Sequence, residues 1–142
     1  RTLGDLGLPE SELVRHIAWD IGIAGVAEQL ATHLDAHLVA QRYSRLVIDC
    51  NRPPHVASSI PRISEASTIP GNEAIPREAV EMRRAQIFDP YHRRIAQELD
   101  SRRPPQPPVL VSMHSFTPVF GGRARPWHAG VLYHRDSRAA AQ

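Results

Sequence analysis

Two polar groups of residues in this sequence have side chains that could bind a carboxylate or a metal ion. Asp49, Asn51 and Arg52 follow one apolar run, and His114 and Ser115 follow another. An arginine carries two parallel N–H donors that match a carboxylate, and a neutral imidazole is a common zinc ligand. These residue types indicate carboxylate binding at the first group and metal binding or acid–base chemistry at the second.

His114 admits more than one interpretation from its position alone. At the end of a strand with a fixed backbone it could ligate zinc, or it could be a structural histidine at a sheet edge. Ser115 beside it suggests a nucleophile with its base. Against that, adjacent residues at a strand end point in different directions, and the sequence has no Gly-x-Ser-x-Gly motif. The first two interpretations stay open.

The residues around the first apolar run also have alternatives. Arg52 could grip a carboxylate, and Asn51 could donate to the substrate or polarise its carbonyl. Both could instead form a cap and a surface ion pair. Arg45 lies at the opposite end of the same predicted strand, where it could pair with Asp49 or with a helix carboxylate.

Three further residues have types that occur in catalytic or metal sites. His33 and His37 are four apart on a predicted helix, but no carboxylate or cysteine nearby completes a metal site, so we expect them to face solvent. Cys50 is the one cysteine and cannot form an internal disulfide, which agrees with a reducing compartment. We expect its thiol to be buried rather than catalytic.

Three apolar segments predict the strands that would position these side chains. They are residues 45–50, 109–113 and 130–133, each rich in valine, isoleucine or leucine. Helical patterns separate the first two, so we expect an α/β fold with a mainly parallel sheet. In such sheets ligands bind beyond the carboxyl ends of the strands, where both polar groups would lie.

Apolar spacing also predicts the helices. We expect a short helix over residues 9–17 and a second helix capped by Asp20. Residues 76–99 are helical by pattern, with Pro90 splitting the helix because proline removes a hydrogen bond. In the second helix, Ile23, Val26, Ala27, Leu30 and Leu34 would face a core, and in the last helix Tyr91, Ile95 and Leu99 make one stripe.

The remaining segments predict connections. Residues 53–76 are rich in proline, serine and glycine, which predicts a long loop that is functional or disordered. Residues 102–108 contain four prolines and predict a stiff connector.

Composition excludes several functional classes. The chain has 142 residues, 42% of them apolar, which fits one globular domain. No apolar run approaches the roughly 20 residues that span a membrane, and no leader pattern opens the chain. All basic side chains are arginine, and a net charge of +2 is too small for a nucleic-acid surface. We therefore expect a cytoplasmic protein that binds neither membrane nor nucleic acid.

Four segments in order closely resemble the N-formylglutamate amidohydrolase family. They cover residues 15–22 (RHIAWDIG), 43–53 (YSRLVIDCNRP), 112–118 (SMHSFTP) and 127–136 (WHAGVLYHRD). The resemblance extends over nearly the whole chain. It implies a three-layer α/β/α sandwich similar to zinc carboxypeptidases, with a mainly parallel or mixed sheet. It also implies hydrolysis of N-formyl-L-glutamate to formate and L-glutamate, late in histidine breakdown.

The resemblance assigns roles to some residues. It implies that His114 is one zinc ligand and that Asn51 and Arg52 contact the substrate, with Arg52 as the carboxylate clamp. Arg45, which we include among the substrate-binding candidates, matches a family motif, as do Asp20 and Trp127. For those three matches the resemblance supplies no role.

Some family features are missing from this sequence. The other zinc ligands of the family lie in an N-terminal motif of the kind Asp-His-Ala-Ser, and the acidic general base lies near the family's C-terminus. Neither occurs here, and His134 stands where relatives often have asparagine. We expect residues 1–142 to be one partial domain, incomplete at both ends and inactive alone. A non-catalytic relative that binds acidic ligands and a zinc peptidase acting on small peptides remain alternatives.

Overall fold

The computed structural model describes residues 4–102 and 108–133 of the chain. Both helices and strands occur, which is consistent with the expected α/β class. The helices are α1 (Glu10–Leu13), α2 (Ile23–His33), α3 (Pro70–Glu73), α4 (Arg77–Arg83) and α5 (Asp89–Ser101). The strands are β1 (Ile63–Ser64), β2 (Ser67–Thr68), β3 (Val119–Phe120) and β4 (Arg123–Ala124).

The first helix is shorter than predicted. It ends at Leu13, and residues 14–19 continue in turns. Arg15 ties this turn segment to the β1–β2 hairpin, because its guanidinium donates to the carboxylate of Glu65 at 2.8 Å and to the hydroxyl of Ser67 at 3.0 Å. These long-range bonds hold the guanidinium over the hairpin, and the backbone of this segment bonds in turns, with the amide of Ala18 donating to the carbonyl of Arg15 at 3.0 Å.

Helix α2 lies where predicted, but its start differs from the prediction. Asp20 does not cap it; Gly22 is the capping residue, at φ 78°, and no side chain bonds the first turn. Glycine adopts this left-handed backbone without strain. The expected core face is also wrong in part, because Ala27 is buried while Leu30 and Leu34 are 41% and 70% exposed.

The segment predicted as the first strand, residues 45–50, forms the centre of the core but is not a strand. Leu46 and Ile48 are buried to 0% and 1% exposure. Its backbone groups are satisfied by turns and by side chains rather than by a neighbouring strand. The carbonyls of Leu46 and Val47 accept bonds from Asn72 and Arg83. The burial of this segment was predicted correctly, but its strand conformation was not.

Residues 53–76 are ordered rather than a loose loop. They contain a short 3₁₀ turn, Ala57–Ser59, the antiparallel β1–β2 hairpin and helix α3. Ile69 and Asn72 are buried, at 0% and 1% exposure. This part of the chain therefore packs into the core.

The last helical region is continuous, so the predicted break at Pro90 is wrong. Between α4 and α5, residues Arg84–Phe88 form a π-helical turn, in which Asp89 bonds the carbonyl of Arg84. Pro90 is the second residue of α5, which directly follows the π-helical turn, and the change from the α-helical bonding pattern there accommodates a residue that has no N–H. Tyr91, Ile95 and Leu99 form a half-buried stripe, as expected.

The other two predicted strands, residues 109–113 and 130–133, are not strands within the described residues. Both are apolar and exposed, with Val109 at 77% and Leu132 at 99% exposure. A strand requires a partner for its backbone groups, and no described segment pairs with either. The paired strands here are instead the β3–β4 hairpin, whose turn is Gly121 and Gly122 at φ 56° and 76°.

The strands of the described residues thus form two separate antiparallel hairpins, and none of them pairs in parallel. The core is built from residues of the N-terminal turns, residues 46–48, Ile60, Ile69 just before α3, and Ile87 of the π-helical turn. In residues 4–102 and 108–133, no helix has both the length and the apolar character needed to cross a membrane.

Candidate functional site

Asp49 is the centre of the first candidate cluster. Its side chain is 9% exposed and accepts bonds from the guanidinium groups of Arg45, at 2.9 Å, and Arg52, at 3.3 Å. Its second oxygen accepts the backbone N–H of Asn51 at 2.9 Å. The three substrate-binding candidates, Arg45, Asn51 and Arg52, therefore all bond to one buried carboxylate.

The local backbone explains this convergence. The amide of Arg52 donates to the carbonyl of Asp49 at 3.2 Å, so the chain turns directly after the buried run. The amide of Asp49 is held by the carbonyl of Ser59 at 2.7 Å, and the carbonyl of Cys50 contacts the ring of His92 at 2.9 Å. The turn is thus anchored on both sides.

The two arginines lie at the same carboxylate, which differs from the prediction that they stand at opposite ends of a strand. An extended strand would separate them, whereas the turn conformation of residues 45–50 brings both to Asp49. Their side chains are 43% and 48% exposed. Arg52 contacts Asp49 through Nε. No hydrogen bond to another described residue uses its two terminal amines, so both can meet a ligand.

His114 is the centre of the second cluster. Its Nδ1 lies 2.8 Å from Oδ2 of Asp20, and its Nε2 lies 3.2 Å from the hydroxyl of Ser112. The histidine side chain is 49% exposed and that of Asp20 is 28% exposed. The hydroxyl at the ring is that of Ser112, two residues before the histidine, rather than that of Ser115.

The sequence indicates one of the two partners of His114 and gives no signal for the other. Residues i and i+2 of an extended chain face the same side, so the spacing of Ser112 and His114 was a usable signal. Asp20 lies 94 positions from His114, and its place after Trp19 suggested only a helix cap. No local pattern points to that contact.

The environment of His114 fits a metal ligand in one respect. A ligating histidine commonly gives its other ring N–H to a carboxylate, and Asp20 is placed to receive it. Within residues 4–102 and 108–133, however, no three histidine, cysteine or acidic side chains form a group that could hold a metal ion. The described residues fit one ligand of a zinc site and do not complete the site.

A hydrogen bond connects the two chain segments that carry these clusters. The hydroxyl of Ser44, next to Arg45, donates 2.5 Å to the carbonyl of Ala18, two residues before Asp20. In the described part of the chain, no hydrogen bond or ion pair joins the side chains of one cluster directly to those of the other. The two clusters are therefore separate groups of side chains on neighbouring segments.

The other candidates lie outside both clusters. His33 and His37 are exposed, as expected, and contact the carbonyl of Gln29 and the carboxylate of Glu98. Burial raises the pKa of the Cys50 thiol, although a hydrogen bond from Gln41 opposes this shift. Trp127, which matches a family motif, is 66% exposed. His134 lies outside the described residues.

Comparison with known proteins gives the chain its relatives. A crystal structure of gene product Atu2144 from Agrobacterium tumefaciens is 42% identical, with a TM-score of 0.89 over 99% of this chain. The match spans 56% of that structure's chain. No curated protein matches. The family model for N-formylglutamate amidohydrolase matches residues 1–142, so the chain belongs to this family.

Proposed function

We propose that these residues form part of a zinc-dependent hydrolase that cleaves the amide bond of N-formyl-L-glutamate or a related N-acyl amino acid. The products are formate, or another acid, and the free amino acid. The observation that carries the proposal is the arrangement at Asp49. There, in a chain of this family, two half-exposed arginines and Asn51 are fixed around one buried carboxylate.

Arg52 would bind the carboxylate of the amino acid. Its Nε is engaged by Asp49, which fixes the plane of the guanidinium and leaves the terminal amines for a two-bond contact with the substrate. Arg45 adds positive charge at the same place. Asn51, whose backbone is held by Asp49, would offer its side-chain amide to the substrate.

His114 would be one ligand of the zinc ion. When bound, zinc would polarise the acyl carbonyl and make water acidic enough to attack near neutral pH. Among the described residues no three histidine, cysteine or acidic side chains form a group that could hold the ion, so the remaining ligands, and with them the carboxylate that accepts the water's proton, would come from elsewhere. We place them in family segments that flank this part in the longer chain. The expected setting is the cytoplasm, in histidine breakdown.

The sheet of a three-layer sandwich is part of the same proposal. Residues 109–113 and 130–133 are apolar, exposed and without a paired strand in the described part of the chain. The related crystal structure follows nearly the same path in a chain that is considerably longer. We infer that further strands of the longer chain would pair with these segments and cover them.

The test is formate release from N-formyl-L-glutamate by the complete natural protein, assayed after chelation and again after zinc is restored. We expect activity to disappear with chelation and to return with zinc. His114→Ala should abolish the restored activity, whereas His33→Ala, which removes an exposed histidine of α2, should keep it.

Other outcomes would replace the proposal. Zinc bound in stoichiometric amount without formate release, but with cleavage of other N-acyl amino acids or small peptides, would change the substrate class. Neither zinc binding nor release, with acidic amino acids still bound, would favour a non-catalytic relative. Activity that survives in His114→Ala would contradict the role given to this histidine.

A further inference from the structure

We propose that His92, on α5, is a positioning residue for Asn51, because its ring holds the carbonyl of the peptide that joins Cys50 to Asn51. The contact of Asn51 with a substrate belongs to the proposed function, and this inference rests on it for that step. The bond between the ring and the turn is a feature of the fold and does not depend on the reaction.

One peptide unit of this turn is held at both of its polar groups. The carbonyl of Cys50 accepts a hydrogen bond from Nε2 of His92 at 2.9 Å, since a carbonyl oxygen can only accept. The N–H of the same peptide, which belongs to Asn51, donates to Oδ1 of Asp49 at 2.9 Å. A peptide unit is planar, so two bonds at opposite edges fix the orientation of the plane. The direction in which Asn51 leaves the turn is thereby set.

The ring of His92 is itself held by two aromatic neighbours. Its centroid lies 4.3 Å from that of Phe88 and 5.3 Å from that of Tyr91, which it meets edge to face. Phe88 packs against the hydrophobic core, and it lies four residues before His92, the spacing at which helix side chains are neighbours. His92 is exposed, but these contacts restrict the movement of its ring and keep the donor directed at the turn.

The bond from His92 links the turn to a distant helix. Two other bonds of the turn are local, from the amide of Asp49 to the carbonyl of Ser59 at 2.7 Å and from the amide of Arg52 to the carbonyl of Asp49 at 3.2 Å. His92 instead lies 42 positions from Cys50. Because its side chain is exposed, we expect removal of this bond to loosen the turn without unfolding the protein.

Three variants of the complete natural protein separate the hydrogen bond from the packing of the ring. His92→Phe keeps an aromatic ring against Phe88 but has no donor, whereas His92→Gln has an amide that can donate to the same carbonyl. In His92→Phe, KM for N-formyl-L-glutamate should rise about 3- to 10-fold, the factor that corresponds to one hydrogen bond, with a smaller change in kcat. His92→Gln should restore KM to near the wild-type value. Gln97→Ala, at an exposed residue of α5, should change neither constant.

A double variant tests whether His92 acts through Asn51. If it does, adding His92→Phe to Asn51→Ala should raise KM by less than about twofold, because the side chain that the bond positions is already gone. Full additivity of the two changes would overturn the inference. An unchanged KM in His92→Phe, or a His92→Gln variant as impaired as His92→Phe, would overturn it as well.

Hydrogen exchange gives a readout that needs no substrate. In the ¹⁵N-labelled protein, the amide of Asn51 should exchange with deuterium faster in His92→Phe than in the wild type or in His92→Gln, because the peptide is released at its carbonyl edge. Similar urea midpoints of all three proteins would show that the change is local. Equal exchange rates in the wild type and His92→Phe would contradict the hold on the turn.

These measurements separate this inference from the proposed function. Formate release by the wild type, together with unchanged KM and unchanged exchange in His92→Phe, would overturn the positioning role alone. Faster exchange of Asn51 in His92→Phe and its rescue by His92→Gln, in a protein that releases no formate, would support the hold on the turn and contradict the proposed substrate.

Discussion

Arg83 donates a 2.7 Å hydrogen bond from its guanidinium to the side-chain oxygen of Asn72, and both residues are buried, at 7% and 1% exposure. The same Arg83 nitrogen also reaches the carbonyl of Val47 at 2.9 Å. Asn72 donates to the carbonyls of Leu46 and Pro61, each at 2.8 Å. Two polar side chains thus satisfy the backbone that carries the Asp49 cluster.

Replacing Arg83 with lysine should destabilise the protein. A lysine ammonium cannot reproduce the fork that meets Asn72, Val47 and the carbonyl of Gly71, so at least one buried acceptor loses its donor. We expect a loss of about 2–3 kcal/mol in the free energy of unfolding, measured by urea titration. Arg84→Lys, which changes the neighbouring half-exposed arginine, should remain within about 0.5 kcal/mol of the wild type.

Gly71→Ala should be destabilising for a different reason. A methyl group there would lie 3.0 Å from Cα and 3.1 Å from the carbonyl oxygen of Leu6, both backbone atoms. The amide of Gly71 already bonds this carbonyl at 2.8 Å, so the two segments cannot separate without losing that bond. We expect a loss of about 1–3 kcal/mol in the free energy of unfolding.

Gly25→Ala is the matched control for this prediction. Gly25 lies inside α2, and an added methyl group meets no atom within 4 Å. Alanine is the better helix former, so this variant should gain roughly 0.5–1 kcal/mol. Equal effects of the two substitutions in the same thermal or urea assay would contradict the close approach of Gly71 to Leu6.

The structural features that depend on local sequence pattern were predicted correctly. Helix α2 follows from its apolar spacing, and the burial of residues 46–48 follows from an unbroken aliphatic run. Whether such a run becomes a strand depends on a partner segment, and no local pattern supplies one. Residues 109–113 show this plainly, because they have strand composition and no described partner.

The candidate site was predictable to a similar extent. Asn51, Arg52 and His114 were found by residue type, and their roles in binding substrate and metal stay predictions. Asp49 was noticed as part of the first group. Its position between two arginines depends on the turn conformation of residues 45–50, which the apolar pattern of this run did not predict. The contact of Asp20 with His114 depends on how distant segments fold together.

The thiol of Cys50 should react slowly with alkylating reagents. Burial raises its pKa, a hydrogen bond from Gln41 lowers it, and the charge of Asp49 raises it, with a net shift upward. At pH 8 the thiolate fraction is then smaller than in glutathione, so iodoacetamide should modify Cys50 more slowly. Unfolding in urea should restore the ordinary rate, and equal rates in the folded and unfolded protein would contradict the shift.

The same shift has a consequence for stability. Because the folded thiol has a raised pKa, its contribution to stability is fully present below the pKa of the unfolded thiol. It is lost as the pH rises through the folded value. Burial raises the pKa of Tyr91 as well, so both groups act in the same direction. The free energy of unfolding should therefore fall above about pH 9.

Arg52→Lys should weaken substrate binding in the proposed reaction. A lysine cannot keep the bond to Asp49 and also make two parallel bonds to a substrate carboxylate. We expect KM for N-formyl-L-glutamate to rise about tenfold or more, with a smaller change in kcat. Arg42→Lys is the control and should leave both constants unchanged, because this exposed arginine bonds to other described residues through its backbone amide alone. Unchanged kinetics in Arg52→Lys would remove this arginine from the site.

Ser112→Ala distinguishes two chemistries that the same three side chains could support. Ser112, His114 and Asp20 are joined in the order of a serine nucleophile, its base and an orienting acid, at 3.2 Å and 2.8 Å. If His114 is a zinc ligand, removing the hydroxyl frees Nε2, so formate release should persist and zinc should bind at least as tightly. If Ser112 is the nucleophile, kcat should fall by several orders of magnitude while zinc has no effect. Formate release and zinc titration of this one variant, with Ser115→Ala as the control, therefore decide between a metal-dependent and a serine-dependent hydrolase.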